Sequence, residues 1–180
     1  MIIIGIDPGY AITGYGIIEH ESNRSRMLDF GVVSTQPRVP FELRLLTIYQ
    51  ELEALIRRYS PDVMAVEELF FSRNTTTAIG SAQARGVAIL AGAKAGIPVY
   101  EYTPMQVKLA VTGYGRADKN QVSQMVKTIL CLDKIPAKDD ASDALAIAIC
   151  QAHTGMLRSN KAVGGYQIGP TASGNIGKHK

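Results

Sequence analysis

Four acids in this chain stand where an acid is costly or oddly placed: Asp7, Glu67, Asp140 and Asp143. Asp7 ends the apolar run Ile2–Ile6 and is followed at once by Pro-Gly, and Glu67 ends the run VMAVE. A carboxylate at the end of a buried strand needs a hydrogen bond or a cation to offset its desolvation. Asp140 and Asp143 are three apart, so a helix beginning there carries both on one face. Taken singly, each has a plain structural reading, as a turn residue or as a helix cap answering the dipole. Taken together, with no His or Cys beside them, they suit a hard divalent cation held by oxygen, Mg²⁺ or Mn²⁺ before zinc. Such a site chiefly supports phosphoryl chemistry with two metal ions. Spacing alone leaves two rivals. Glu68 adjoins Glu67 on a strand whose side chains alternate, and Asp139 stands four before Asp143.

The elements that must position these acids can be read from periodicity. Ile2–Ile6 is short, Ile-rich and nearly continuous, as a fully buried strand is. Tyr15–Glu19 and Met27–Ser34 follow as strands, with the polar stretch His20–Arg26 turning between them. Apolar residues from Leu45 to Tyr59 recur at helical spacing, so Phe41–Tyr59 is predicted as an amphipathic helix stopped by Ser60-Pro61. Asp62–Glu67 is a buried strand, and Thr75–Ala95 a helix rich in Ala and Gly, suited to close packing against another helix or a second subunit. Val99–Tyr102 is a further strand. Thr103-Pro104 opens a helix with an N-cap and a first-turn proline. Helices over Asp118–Leu130 and Asp139–His153 close the domain. The expected fold class is α/β, with a mixed five-stranded sheet that starts as an antiparallel meander and carries helices on both faces. The strand ends bearing Asp7 and Glu67 would then meet the first turn of the last helix in one crevice.

Composition narrows the function classes. The chain is 46% hydrophobic and 19% charged, an ordinary globular balance. No apolar run is long enough to span a membrane, and the N-terminus lacks the basic start of a signal peptide, so a cytoplasmic protein is expected. Cys131 and Cys150 fit no metal or disulfide framework and read as reduced core residues. The net charge of +3 is misleading. Four of the 19 basic residues, Arg158, Lys161, Lys178 and Lys180, lie in the last 23 positions, leaving 15 against 16 acidic ones. The body is about neutral, so a polyanion would have to be bound by a local patch. Residues 1–155 are read as the domain and 156–180, rich in Gly, Ser and Asn, as a flexible basic tail. His20, His153 and His179 carry no visible chemistry.

Several motifs together resemble the RuvC family of Holliday-junction (crossover-junction) endodeoxyribonucleases. They are GIDPG at Gly5–Gly9 with TGYG at Thr13–Gly16, AVEELF at Ala65–Phe70, QARGVAI at Gln83–Ile89, QVK at Gln106–Lys108, and DxxDALAIA over Asp140–Ala148. The likeness runs in order from residue 2 to about 153. It implies an RNase H-like fold, a homodimer, and Mg²⁺-dependent cutting of two strands of like polarity at a four-way DNA junction. Two Mg²⁺ per site, with Mn²⁺ able to substitute, 5′-phosphate and 3′-hydroxyl products, a thymine-containing cleavage core and the RuvA–RuvB branch-migration complex as partner come from the same resemblance. The family's catalytic acids fall on Asp7, Glu67, Asp140 and Asp143, which favours them over Glu68 and Asp139. The glycines after Asp7 would let a phosphodiester come close to the backbone.

Phosphate contacts are expected from Arg73, Arg85, Lys108 and Lys119, the last two at basic positions that the family uses for DNA. Arg116 and Lys127 read as ordinary solvated charges. Phe70, in a loop directly after Glu67, matches a family aromatic at the junction centre, where it would stack on an unpaired base. Two other readings compete. An actin-like ATP-dependent phosphotransferase would use the turn after Asp7 for phosphate, but it needs a second such lobe. A non-catalytic junction-binding module would have no reason to keep four carboxylates.

Overall fold

The computed structural model describes residues 1–68 and 75–154. The expected loop contacts Phe70 and Arg73 and the 156–180 tail lie outside the described residues. Five strands form one sheet: β1 (Ile2–Asp7), β2 (Ile12–Glu21), β3 (Arg24–Ser34), β4 (Val63–Glu67) and β5 (Val99–Tyr102), in the order β3-β2-β1-β4-β5. The first three pair antiparallel, while β4 and β5 run parallel to β1. The helices are α1 (Phe41–Tyr59), α2 (Thr75–Lys94), α3 (Pro104–Thr112), α4 (Lys119–Ile129) and α5 (Asp139–Thr154). The mixed sheet and the helices on both faces are as the sequence predicts.

Strand alternation divides the core into two layers. Ile4, Ile6, Met64 and Val66 pack with Ile48, Leu52, Ala84 and Ala88 beneath α1 and α2. Ile3, Val63 and Ala65 face the other way, with Leu145, Ala148, Ile149 and Val126 under α4 and α5. Asp7 and Glu67 share the odd parity of this second group. They therefore emerge on the face that α5 covers.

Helix α5 can cover that face because glycines leave room for it. A Cβ on Gly14 would lie 2.0 Å from the Asp140 carbonyl oxygen, one on Gly5 2.2 Å from that of Ala144, and one on Gly16 2.7 Å from the Leu145 nitrogen. The three positions form a groove across β1 and β2 that seats the helix backbone itself. Gly14 and Gly16 are thus occupied by α5, a different use from the approach of a phosphodiester.

Two sequence expectations change, and a third gains detail. Strands β2 and β3 extend to Glu21 and Arg24, and the turn contracts to Ser22 and Asn23, both at positive φ, 48° and 66°. Polar residues at 20–26 suggest a loop, but this tight turn lets the strands run through them. Cys150 is buried as expected, whereas Cys131 is exposed just after α4 and not part of the core. The Ala/Gly-rich α2 buries Ala84, Ala88 and Ala91 against the sheet side and leaves Ile79, Gln83, Gly86 and Leu90 exposed along one stripe. Among the described residues no helix is long and apolar enough to cross a membrane.

Candidate active site

Asp7 ends β1 and pairs in register with Gly14 on β2. Gly14 in turn admits the Asp140 backbone, so the first turn of α5 is delivered beside Asp7. Glu67 ends β4, adjacent to β1 in the sheet. The electrostatics show that these groups form one cluster. Burial pushes the Asp7 carboxyl up to about 7, and repulsion from Glu67, Asp143 and Asp140 adds to it, while Lys119 opposes. Glu67 is likewise pushed up to about 7, by burial first and then by Asp143, against the pull of Lys108 and Lys119. Asp143 is raised by burial, with Lys119 holding it back. A buried acid with acidic neighbours holds its proton to a higher pH than a free one does.

The neighbouring acids separate by position. Glu68 is exposed, its backbone N–H donates to the Tyr102 carbonyl, and its charge acts on Arg85, away from the cluster. Both Asp139 and Asp140 act on Asp143, but only Asp140 of the two acts on Asp7; the Asp139 side chain is 72% exposed and pairs with Lys119.

Two expected DNA contacts reach the acids themselves. The Lys119 ammonium lies 3.1 Å from Asp143 Oδ2 and 3.2 Å from Asp139 Oδ2. Burial works to lower its pKa, but these bonds and the attraction behind them outweigh that and raise it. Lys108, on α3, acts on Glu67. With Glu67, Lys119 and Asp143 it rims a cavity of about 200 Å³ whose floor includes Val107, Val122 and Ile147. Helix α3 begins with the predicted Thr103 cap, closed reciprocally by Gln106, so the Gln of QVK starts the helix that carries Lys108.

Arg85 stands apart from this pair. Its guanidinium forms an ion pair with Glu101 on β5, and its Nε–H donates to the Glu67 carbonyl oxygen at 3.3 Å. Both side chains of the pair are largely buried, 17% and 12% exposed. Arg85, expected to grip phosphate, ties α2 and β5 to the end of the strand carrying Glu67.

Another arginine went unread in the sequence. Arg44 of α1 is 8% exposed and lies over the Tyr10 ring, 4.7 Å from its centre. Its Nη2 donates to the Tyr10 carbonyl at 3.3 Å, and its Nε to Thr35 Oγ1 at 2.8 Å. Thr35 Oγ1 donates to the same Tyr10 carbonyl, and Thr13 Oγ1 to that of Gly9, both at 2.6 Å. The turn after Asp7 is thereby fixed at consecutive carbonyls. An arginine on a polar helix face gives no sequence signal of burial.

The donor set fits a hard cation: carboxylate oxygens only, from β1, β4 and α5, with Asp7 and Glu67 raised by burial first and by neighbouring acids second. Among the described residues no three such side chains are already gathered into a finished cage. Lys119 stands between Asp143 and Asp139.

Known proteins resemble this chain over most of its length. The family model for crossover junction endodeoxyribonuclease RuvC matches residues 3–151. The chain is 58% identical over 152 residues to the crossover junction endodeoxyribonuclease RuvC of Desulforamulus reducens, covering 84% of this chain and 93% of that one. It is 58% identical over 154 residues to that of Desulfitobacterium hafniense, covering 86% and 93%. Among solved structures, Thermus thermophilus RuvC in complex with a Holliday junction substrate superposes with a TM-score of 0.83 at 38% identity, covering 86% of this chain and 94% of that one. Sheet order, acid cluster and these likenesses lead to one assignment: the chain belongs to the RuvC family of crossover junction endodeoxyribonucleases.

Proposed function

We propose that this protein resolves four-way DNA junctions by paired, symmetric, Mg²⁺-dependent hydrolysis of two phosphodiesters, leaving nicks with 5′-phosphate and 3′-hydroxyl ends in recombination and repair. The observation that carries the reading is the single electrostatic cluster of Asp7, Glu67, Asp140 and Asp143 in a chain of this family. These four residues would hold the cations, two per site, with Mn²⁺ as a substitute. The chemistry such ions supply when bound is Lewis acidity, which makes water nucleophilic near neutral pH and neutralises charge on the leaving 3′ oxygen.

The chain's own residues do the rest. Arg44 and Thr35 hold the turn after Asp7, and Arg85 holds the end of β4, so the two strand acids keep a fixed separation. Lys108 and Lys119, beside the acids, face a scissile phosphate, with Phe70 and Arg73 as further DNA contacts. A homodimer presents two such sites to the near-twofold junction, and the exposed α2 stripe of Ile79, Gly86 and Leu90 is the self-contact surface. The RuvA–RuvB complex would act alongside it, in the cytoplasm.

The test is incubation with an end-labelled, ligatable four-way junction, with and without Mg²⁺. Paired nicks in strands of like polarity, sealed afterwards by ligase, are expected only with the metal. Tight binding without cutting in any divalent cation would leave a non-catalytic junction-binding module.

A further inference from the structure

Lys119 sits where its charge suits the site and not its own helix. It is the first residue of α4, at the positive end of that helix's dipole, where a cation is unfavourable. The helix start does not require it. Asp118 accepts from the Gln121 N–H and Gln121 returns the bond to the Asp118 N–H, both at 2.9 Å. What compensates the lysine is the pair of bonds to Asp143 and Asp139. The bond to Asp139 is exposed at both ends and contributes little. Asp143 is the stronger partner, being only 33% exposed and pressed by the other acids.

Taking the acids as metal ligands, as the proposed function does, gives this contact a second meaning. An ammonium bonded to Asp143 occupies oxygen that a divalent cation needs, and the two positive charges repel. The Lys119 side chain is 55% exposed on a flexible stem, so it has solvent to move into. We propose that Lys119 serves two partners in turn: it neutralises Asp143 and Asp139 while the site holds no metal, and it is released to a DNA phosphate when a divalent cation takes the carboxylates. Metal entry and phosphate grip then become one coupled event. A metal-free protein keeps its lysine turned inward and offers DNA one cation fewer.

The exchange is tested on the full chain without DNA. Lys119 is labelled with an amine-acylating reagent in EDTA and in saturating Mg²⁺, and its modification is followed by mass spectrometry. Calorimetry gives the Mg²⁺ affinity of wild type, Lys119→Met and Lys119→Arg. Mg²⁺ should raise the labelling rate of Lys119 severalfold. Lys119→Met should bind Mg²⁺ about tenfold more tightly, about 1.4 kcal/mol, and Lys119→Arg should stay near wild type. In Ca²⁺, junction affinity should rise over that in EDTA for wild type and not for Lys119→Met. Mg²⁺ binding with unchanged Lys119 labelling and unchanged affinity in Lys119→Met would overturn the exchange alone. No Mg²⁺ binding by wild type would overturn it together with the metal reading of the acids.

Discussion

Neutralising Asp7 should stabilise the metal-free protein, and only at the upper end of the pH range. The Asp7 carboxyl is raised from 3.8 to about 7 on folding, chiefly by burial and then by the acids around it. A raised carboxyl means that the folded chain holds a proton the unfolded chain has released. The associated stability is therefore complete below about pH 4, declines as pH rises, and is gone above about pH 7. Moving the carboxyl from 3.8 to about 7 corresponds to about 4 kcal/mol. Asp7→Asn removes that penalty but buries an amide whose hydrogen bonds are imperfectly met, at a cost of about 1–3 kcal/mol. The net expectation in EDTA at pH 8 is a gain of about 1–3 kcal/mol, or roughly 5 °C in Tm for a domain of this size. At pH 4.5, where wild-type Asp7 is protonated, the gain should vanish. Urea unfolding of both proteins in EDTA across pH 4.5–8 measures the difference directly, and a junction assay alongside should show binding without cutting. A gain that does not depend on pH, or a mutant less stable at pH 8, would refute the argument that Asp7 is a repelled, buried acid.

Because cations must displace protons from Asp7 and Glu67, Mg²⁺ affinity measured by calorimetry should rise with pH up to about 7 and then level off. Asp140→Asn should abolish junction cleavage, whereas Asp139→Asn should cost about 0.3–1 kcal/mol by denaturation, the worth of an exposed helix-start charge; the reverse would exchange their roles. Arg85→Met should cost about 3 kcal/mol, as breaking a buried ion pair does, and leave junction affinity of the folded protein nearly intact. Lost affinity at unchanged stability would return Arg85 to the DNA. Gly14→Ala should lower stability by about 3 kcal/mol or more, since its Cβ meets backbone at Asp140, and a stable, fully active variant would sink the groove.

The order of elements could be read in advance, and so could the positions of Asp7 and Glu67 at strand ends and of Asp140 and Asp143 at a helix start. Each rests on local signals: an apolar run ended by an acid, a Pro-Gly turn, and two Asp at helical spacing. The choice of these four over Glu68 and Asp139 came from the family resemblance. Even the strand parity that separates Glu67 from Glu68 follows from alternation once a neighbouring strand fixes which face is which. What escaped is long-range. Lys119 stands twenty residues or more from its carboxylate partners, and Arg85 meets Glu101 from a different element. Nothing in the residues around Arg44 announces that it would be buried over Tyr10. The glycines after Asp7 read as room for a phosphodiester, and Gly14 and Gly16 among them make room for the α5 backbone, because a groove for substrate and a groove for a helix have the same signature in sequence.

The groove also sets when a nascent chain can become a nuclease. Asp7 and Glu67 are synthesised early, but Asp140 and Asp143 come with α5, the last helix described, whose backbone must settle on Gly5, Gly14 and Gly16. At about 5–20 residues per second, roughly 4–15 s of translation separate Glu67 from Asp143. Throughout that interval the ribosome-bound fragment carries half of the acids and no surface that joins them to the rest. A truncated product ending before α5 would be equally incomplete. With the closing pair of acids on the last helix described, the acid cluster is a property of the whole described domain and not of any earlier part of it.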